Sequence, residues 1–180
     1  MDQSKARPRR SSSGGGKSDA IALLKADHRQ VEKWFAEFDN ARSADRKARL
    51  AASICGALRA HMTVEEEIFY PAFLEATSDT DVHHEAIVEH DGAKRLIEEI
   101  ESSSPEDDYF DARVTVLSEM IRHHVKEEEK PSGMFSEAKK SDMDLAELAE
   151  RIRARKRELE NGARRGEIDI EVEQVSASVA

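Results

Sequence analysis

The sequence predicts an all-α protein, an up-down four-helix bundle with an additional C-terminal amphipathic helix and disordered tails. Three observations lead there. Apolar residues recur at steps of three and four in four successive segments, the period of a helix with one buried face. The connections between those segments are short, so consecutive helices should pack antiparallel. The balance of 38% hydrophobic and 37% charged residues, with 4 prolines among 180 residues, suits a small helical domain with a heavily charged surface.

Residues 1–17 (MDQSKARPRRSSSGGGK) are basic, rich in Ser and Gly, and read as a disordered arm. The bundle is expected over residues 18–136. Ser18 or Asp19 can cap a first helix whose stripe is Ile21, Leu24, His28, Val31, Phe35 and Phe38. A second helix runs from about Ala44 to Leu74, with Leu50, Ile54, Leu58, His61, Glu65 and Ile68 in line. Pro71 has no amide hydrogen and is expected to disturb its last turn. The third helix begins near Asp81, carries Val82, Ala86, His90, Ala93, Ile97 and Ile100, and ends at Ser102-Ser103-Ser104-Pro105. The fourth carries Phe110, Val114, Leu117, Ile121, His124 and Glu128, and Pro131-Ser132-Gly133 stops it.

A fifth amphipathic segment is expected over 141–161, with Leu145, Leu148, Ile152 and Leu159 on one face and Arg151, Arg153, Arg155 and Lys156 on the others. It should pack against the outside of the bundle, a partner protein or a second copy of the chain. Residues 162–180 read as an acidic disordered tail, although the alternation of Glu167, Asp169, Glu171 and Glu173 also fits a short exposed strand.

Bulk properties exclude several functions. A formal net charge of −10 argues against general nucleic-acid binding, which needs a basic surface. Cys55 is the one cysteine, so no internal disulfide forms and a reducing compartment fits. No apolar run approaches the roughly 18 residues of a membrane span, and the N-terminus has no secretory apolar region. A cytoplasmic location is the expectation.

Each of the four bundle helices carries one histidine on its apolar stripe: His28, His61, His90 and His124. Four buried imidazoles without a shared purpose would each need a separate polar partner inside the core. Two of them stand one helical turn before a glutamate, His61 before Glu65 and His124 before Glu128. Residues four apart on a helix differ by about 40° around the axis and about 6 Å along it. A buried carboxylate is costly alone, whereas a bound cation offsets its desolvation.

Spacing adds a separate argument. His28 and His61 are 33 residues apart, His90 and His124 are 34, and an acid precedes the first histidine of each half, as Asp27-His28 and Glu89-His90. Each half ends in H-x-x-x-E-E. The chain reads as two copies of a helix pair converging on one centre, which favours two metal ions over one. Four imidazoles, two bridging carboxylates and an oxo or hydroxo bridge would leave two octahedral metals with positions open for O2, peroxide, NO or water. Such mixed ligands suit iron, with manganese or zinc as substitutes, and exceed what a closed tetrahedral zinc site uses. The ferritin-like E-x-x-H pattern is absent, Asp81-x-x-His84 being the nearest approach.

Asp27-His28, HMTVEEEIFYP from His61, Glu89-His90-Asp91 and HHVKEEE from His123 together resemble the hemerythrin family in its bacterial HHE cation-binding form, over about residues 19–136. The resemblance implies a non-haem di-iron centre with His28, His61, Glu65, His90, His124 and Glu128 as ligands, the two glutamates bridging. It also implies a protein that binds or senses O2, NO or peroxide, or handles iron, rather than a dedicated enzyme. The competing readings are a di-iron enzyme acting on peroxide or NO, and a metal-independent interaction module that uses the 142–160 helix.

The sequence departs from the animal members, which carry a further histidine where this chain has Ala86, and which space the last histidine and carboxylate five apart rather than four. The missing histidine argues against stable reversible O2 carriage. His83 lies two turns from His90, while His84 and His123 fall off the seam, with His123–Glu127 as a rival register. Glu66 and Glu129 are candidate supports or substitute ligands. Trp34, Phe35, Phe69, Tyr70 and Phe73 read as packing, Cys55 as a small buried apolar residue, and Gly92 as a close contact within the third helix.

Overall fold

The computed structural model describes residues 19–165, and every element among them is helical. The order is α1 (Ala20–Asp39), α2 (Ala44–Val64), a π-helical turn (Glu65–Phe69), α3 (Tyr70–Thr77), α4 (Thr80–Glu101), α5 (Phe110–Glu129), α6 (Met134–Lys140) and α7 (Leu145–Arg165). The expectations for residues 1–17, and for the tail beyond Arg165, lie outside the described residues.

The helix starts follow the capping chemistry. Asp19 Oδ1 accepts from the Ala22 amide at 2.8 Å, so Asp19 rather than Ser18 caps α1. Ser43 caps α2 and Asp79 caps α4 in the same way. The buried faces of α1 and α5 are the expected stripes, with Ala20 added on α1 and Ser118 and Val125 on α5.

Pro71 does not break the second helix. The chain widens into the π-turn just before it, with the Tyr70 amide donating to the Glu65 carbonyl five residues back. A wider turn absorbs the missing amide of Pro71, which sits in the first turn of α3 where none is needed. Ser78 then ends α3 in the left-handed region at φ 56, donating its amide to the Leu74 carbonyl at 2.9 Å.

Two further differences appear downstream. Residues after Pro131-Ser132-Gly133 form the short helix α6, which buries Met134, Phe135 and Ala138. The amphipathic helix also runs on through Asn161-Gly162 to Arg165, so the unfavourable propensity of that pair does not stop it.

The core divides into two clusters. One gathers Val31, Phe35, Phe38, Leu50, Ile54, Leu58, Leu117 and Ile121 between α1, α2, α4 and α5. The other gathers Ile21, Leu24, Phe69, Tyr70, Phe73, Phe135 and Ile152, and includes α6 and α7. Three of the stripe histidines fall between residues of the two clusters: His28 between Leu24 and Val31, His61 between Leu58 and Val64, and His90 between Ala86 and Ala93; His124 lies beside Ile121 and Val125 of the first cluster.

The accessory helix α7 packs on the bundle itself. Leu148, Ile152 and Leu159 are at most 3% exposed against α1 and the π-turn region, each burial contributing about 1.5–3 kcal/mol. Arg155 forks onto Glu67 at 2.7 and 2.9 Å, and Lys156 pairs with Asp27. Among the described residues no helix is long and apolar enough to cross a membrane.

Candidate metal centre

His28, His61, Glu65, His90, His124 and Glu128 meet at the seam, and all six are at most 4% exposed. They come as two imidazole pairs. His28 Nε2 faces His61 Nε2 at 3.0 Å, and His90 Nε2 faces His124 Nε2 at 3.3 Å. Glu65 spans the pairs, with Oε1 at 3.1 Å from His61 Nε2 and Oε2 at 3.4 Å from His90 Nε2. Glu128 spans them through one oxygen, Oε2 lying 3.5 Å from His28 Nε2 and 3.6 Å from His124 Nε2. Two donor groups result, His28/His61/Glu65/Glu128 and Glu65/His90/His124, each with its atoms within 4.8 Å of one another.

A second ring of carboxylates holds the outward nitrogens. Asp27 Oδ2 lies 3.1 Å from His61 Nδ1 and Glu89 Oε2 lies 2.7 Å from His124 Nδ1. Glu66 Oε1 lies 2.8 Å from His90 Nδ1 and Glu129 Oε1 lies 2.9 Å from His28 Nδ1. The acid before each half's first histidine thus supports that half's second histidine. The second glutamate of each pair crosses to the other half. Three of these carboxylates carry a cation outside: Lys156 on Asp27, Lys94 on Glu66 at 2.8 Å, and Lys25 with Arg29 on Glu129 at 3.0 and 2.5 Å. Glu89 instead meets His123 at 3.3 Å.

This arrangement dictates the tautomers. With each Nδ1–H donating to a carboxylate, all four Nε2 atoms present lone pairs to the centre. Lone pair then faces lone pair at 3.0 and 3.3 Å, while Glu65 Oε1 and Glu128 Oε2 are buried and accept no hydrogen bond. Such a set is repulsive unless a cation sits inside it, and its imidazole and carboxylate donors fit a transition metal.

Without metal, protons take that role. Burial disfavours the imidazolium of His61, but Glu65 and Asp27 outweigh it and raise the ring to about 10. Burial and the neighbouring His61 push His28 down to about 4. Burial and the charge of Glu65 push Glu128 up to about 8. Burial works against the Glu65 anion as well, but His61 and His90 hold it well below the usual carboxylate range.

Tyr70, expected only to pack, reaches the centre. Its fully buried hydroxyl lies 3.2 Å from His90 Nε2, 3.3 Å from Glu128 Oε1 and 3.4 Å from Glu65 Oε2. Burial, reinforced by Glu65 and Glu128, raises its pKa well above the usual phenol value, so it stays a donor. Trp34, Phe35, Phe69 and Phe73 do pack in or against the apolar clusters. Cys55 is a free, buried cysteine 1% exposed in the core, where burial raises the thiol to about 12.

Other candidates stay outside. His123 is exposed and turns to Glu89, which removes the rival register with Glu127. His83 packs its ring edge on Tyr70 with centroids 5.7 Å apart, and the His84 ring lies tilted against His83 at 5.6 Å. Glu66 and Glu129 act as supports. Asp27, Glu89 and Tyr70 were missed as functional residues, although the acid preceding each first histidine was the available signal for two of them.

Comparisons with known proteins give the chain's family and fold relatives. The family model of the hemerythrin HHE cation-binding domain matches residues 19–131. The crystal structure of a hemerythrin HHE cation-binding domain-containing protein from Mycobacterium kansasii superposes with a TM-score of 0.69, at 22% identity, covering 83% of this chain and 91% of that one. A protein from Nostoc sp. named DNA nickase is 30% identical over 107 residues, which make up 59% of this chain and 30% of that protein. The chain therefore spans less than a third of that relative.

Proposed function

The chain belongs to the hemerythrin HHE cation-binding family, and on that footing we propose that it is a non-haem di-iron protein that binds or senses O2, NO or peroxide. One observation carries the reading: two imidazole pairs and two glutamates point lone pairs inward, and two of the carboxylate oxygens accept no hydrogen bond. His28 and His61 would hold one iron and His90 and His124 the other, with Glu65 and Glu128 between them. Two irons held there would supply Lewis acidity and redox equivalents to a small ligand.

The chain's own residues prepare the site. The four outer carboxylates orient the imidazoles and strengthen them as donors. Tyr70 holds a proton beside His90, ready to donate a hydrogen bond to an anionic ligand on that side. Val31, Leu58, Met62, Ile121 and Val125 wall a cavity of about 10 Å3 against the four histidines, too small for a bulky substrate and dry enough for a neutral diatomic. Phe135 stacks on His28 at 5.8 Å and closes that flank. Ala86 stands where animal hemerythrins carry their further histidine, which favours sensing or transient binding over reversible O2 carriage. A nickase role gains no support, because the match covers 30% of that relative and the chain's net charge is −10.

The test is the absorption spectrum of iron-loaded protein under azide titration. The reading expects near-ultraviolet charge-transfer bands that shift with azide and vanish in His61→Ala. A loaded protein whose spectrum ignores azide, NO and O2 would overturn ligand binding.

A further inference from the structure

With every donor buried, iron needs a way in, and two cavities reach the centre with opposite linings. The one of about 10 Å3 on the core side is walled mainly by hydrocarbon beneath the histidines, with Asp27 as its one carboxylate. The other, of about 30 Å3, opens between α4, α5 and the turn into α6. Its inner end is His124 and Glu128, and Glu85, Glu89, Glu127 and Lys130 stand around it. Resting on the di-iron reading above, we propose that this acidic cavity is the port through which a divalent cation, Fe2+ in the physiological case, is captured and delivered to the centre.

A hydrated divalent cation loses its water shell only where oxygen ligands replace it. The core-side cavity offers only Asp27, whose Oδ2 is already held by His61 Nδ1 and Lys156. The acidic cavity offers Glu85 and Glu127 outside and Glu89 further in, Glu89 being 21% exposed and already turned toward His124. At its inner end Glu128 is 3% exposed, and its Oε2 accepts no hydrogen bond. That unpartnered oxygen is separate from the acidic mouth and itself calls for a cation. A volume of about 30 Å3 admits a water-sized particle but not an ion with its full shell, so carboxylates must take over from water during entry.

Two further features shape the passage. Ala86, 5% exposed, contributes only a methyl group to the wall. Lys130 Nζ pairs with Glu127 at the mouth, the two side chains being 43% and 29% exposed. An incoming cation must displace that ammonium, and a surface pair of this kind yields readily. Lys130 is therefore a competitor for the outer carboxylates rather than a permanent plug.

The experiment follows anaerobic Fe(II) uptake by the metal-free full-length chain, quenched at timed intervals with a colorimetric chelator. Glu85→Gln combined with Glu127→Gln should slow uptake about threefold to tenfold at low salt while leaving the final iron content unchanged. Lys130→Gln should speed it, and Ala86→Leu should slow it at any salt concentration. High salt should erase the charge effects but not the steric one. Glu119→Gln, which removes a charge from α5 outside the port, should leave the rate alone. Equal rates in all variants at full iron content would overturn the port and leave the di-iron reading standing. Slowing by Ala86→Leu alone would overturn carboxylate capture. An unmutated chain that takes up no iron would overturn both readings.

Discussion

The two copies of the H-x-x-x-E-E motif begin alike and end differently. From His61 the helix continues through the π-turn, whereas from His124 it stops at Glu129 and turns through Pro131-Ser132-Gly133 into α6. The donors remain matched: His61 with His124, Glu65 with Glu128, and Glu66 with Glu129. Five residues beyond the first glutamate, however, one copy has Tyr70 and the other Gly133. On a straight α-helix, residues five apart face about 140° away from each other. The widened turn, closed by the Tyr70 amide on the Glu65 carbonyl, brings the Tyr70 ring back under Glu65. In the second copy a Cβ on Gly133 would meet the Glu127 carbonyl oxygen at 2.2 Å and the Glu128 carbonyl oxygen at 2.6 Å, so the chain turns there and sends Phe135 over His28. A duplicated motif thus makes a centre that is symmetric in its donors and asymmetric in its cover.

The sharpest way to break the symmetry is to remove the spanning carboxylates one at a time. Glu65 faces both imidazole pairs with separate oxygens, while Glu128 faces them with one and gives the other to Tyr70. Glu65→Ala is expected to abolish iron binding, and Glu128→Ala to retain part of it, measured as iron bound per chain. Equal loss in both variants would erase the distinction.

A smaller effect is expected from the outer ring, where the copies are equivalent. Glu66→Gln and Glu129→Gln should each weaken metal affinity by about 10–100-fold. Chelator competition checks this, and an effect confined to one of them would contradict the crossed pattern.

Protons sharpen the comparison further. In the metal-free chain His61 titrates at about 10 and Glu128 at about 8, so both hold protons at neutral pH. A metal binds their deprotonated forms, so uptake must release protons. Apparent affinity then rises with pH by about tenfold per pH unit per proton released, most steeply below about 8, where both groups hold protons, and more gently on to about 10, where only His61 does. Calorimetry in buffers of different ionisation enthalpy reads the release. Heats independent of buffer would contradict it.

The smallest expected effect concerns the turn itself. Gly133→Ala must displace backbone atoms and should destabilise the fold by about 1–3 kcal/mol, read as a Tm lowered by several degrees. Tyr70→Phe should leave iron content nearly unchanged while altering the azide-bound spectrum, because the one hydroxyl that faces His90, Glu65 and Glu128 is lost and no donor atom is.

These contrasts also explain what the residues disclosed beforehand. Periodicity shows the bundle and sets His28, His61, Glu65, His90, His124 and Glu128 in the core, because each lies on a stripe that a regular helix carries inward. Tyr70 reads as packing alone because its placement beside the donors depends on a non-α turn that periodicity does not encode. Asp27 and Glu89 were visible as a repeat but not as partners. Each sits about 100° from its neighbouring histidine on its own helix and serves a histidine on the adjacent one. The helix α6 was hidden by its length, since seven residues after a Pro-Ser-Gly turn read as loop.

Anaerobic titration of the metal-free protein with Fe(II), monitored by bound iron, tests the two-metal centre most directly. Saturation at two irons per chain, with each imidazole pair filled, is the expected result. Saturation at one iron, or no binding at all, would contradict it.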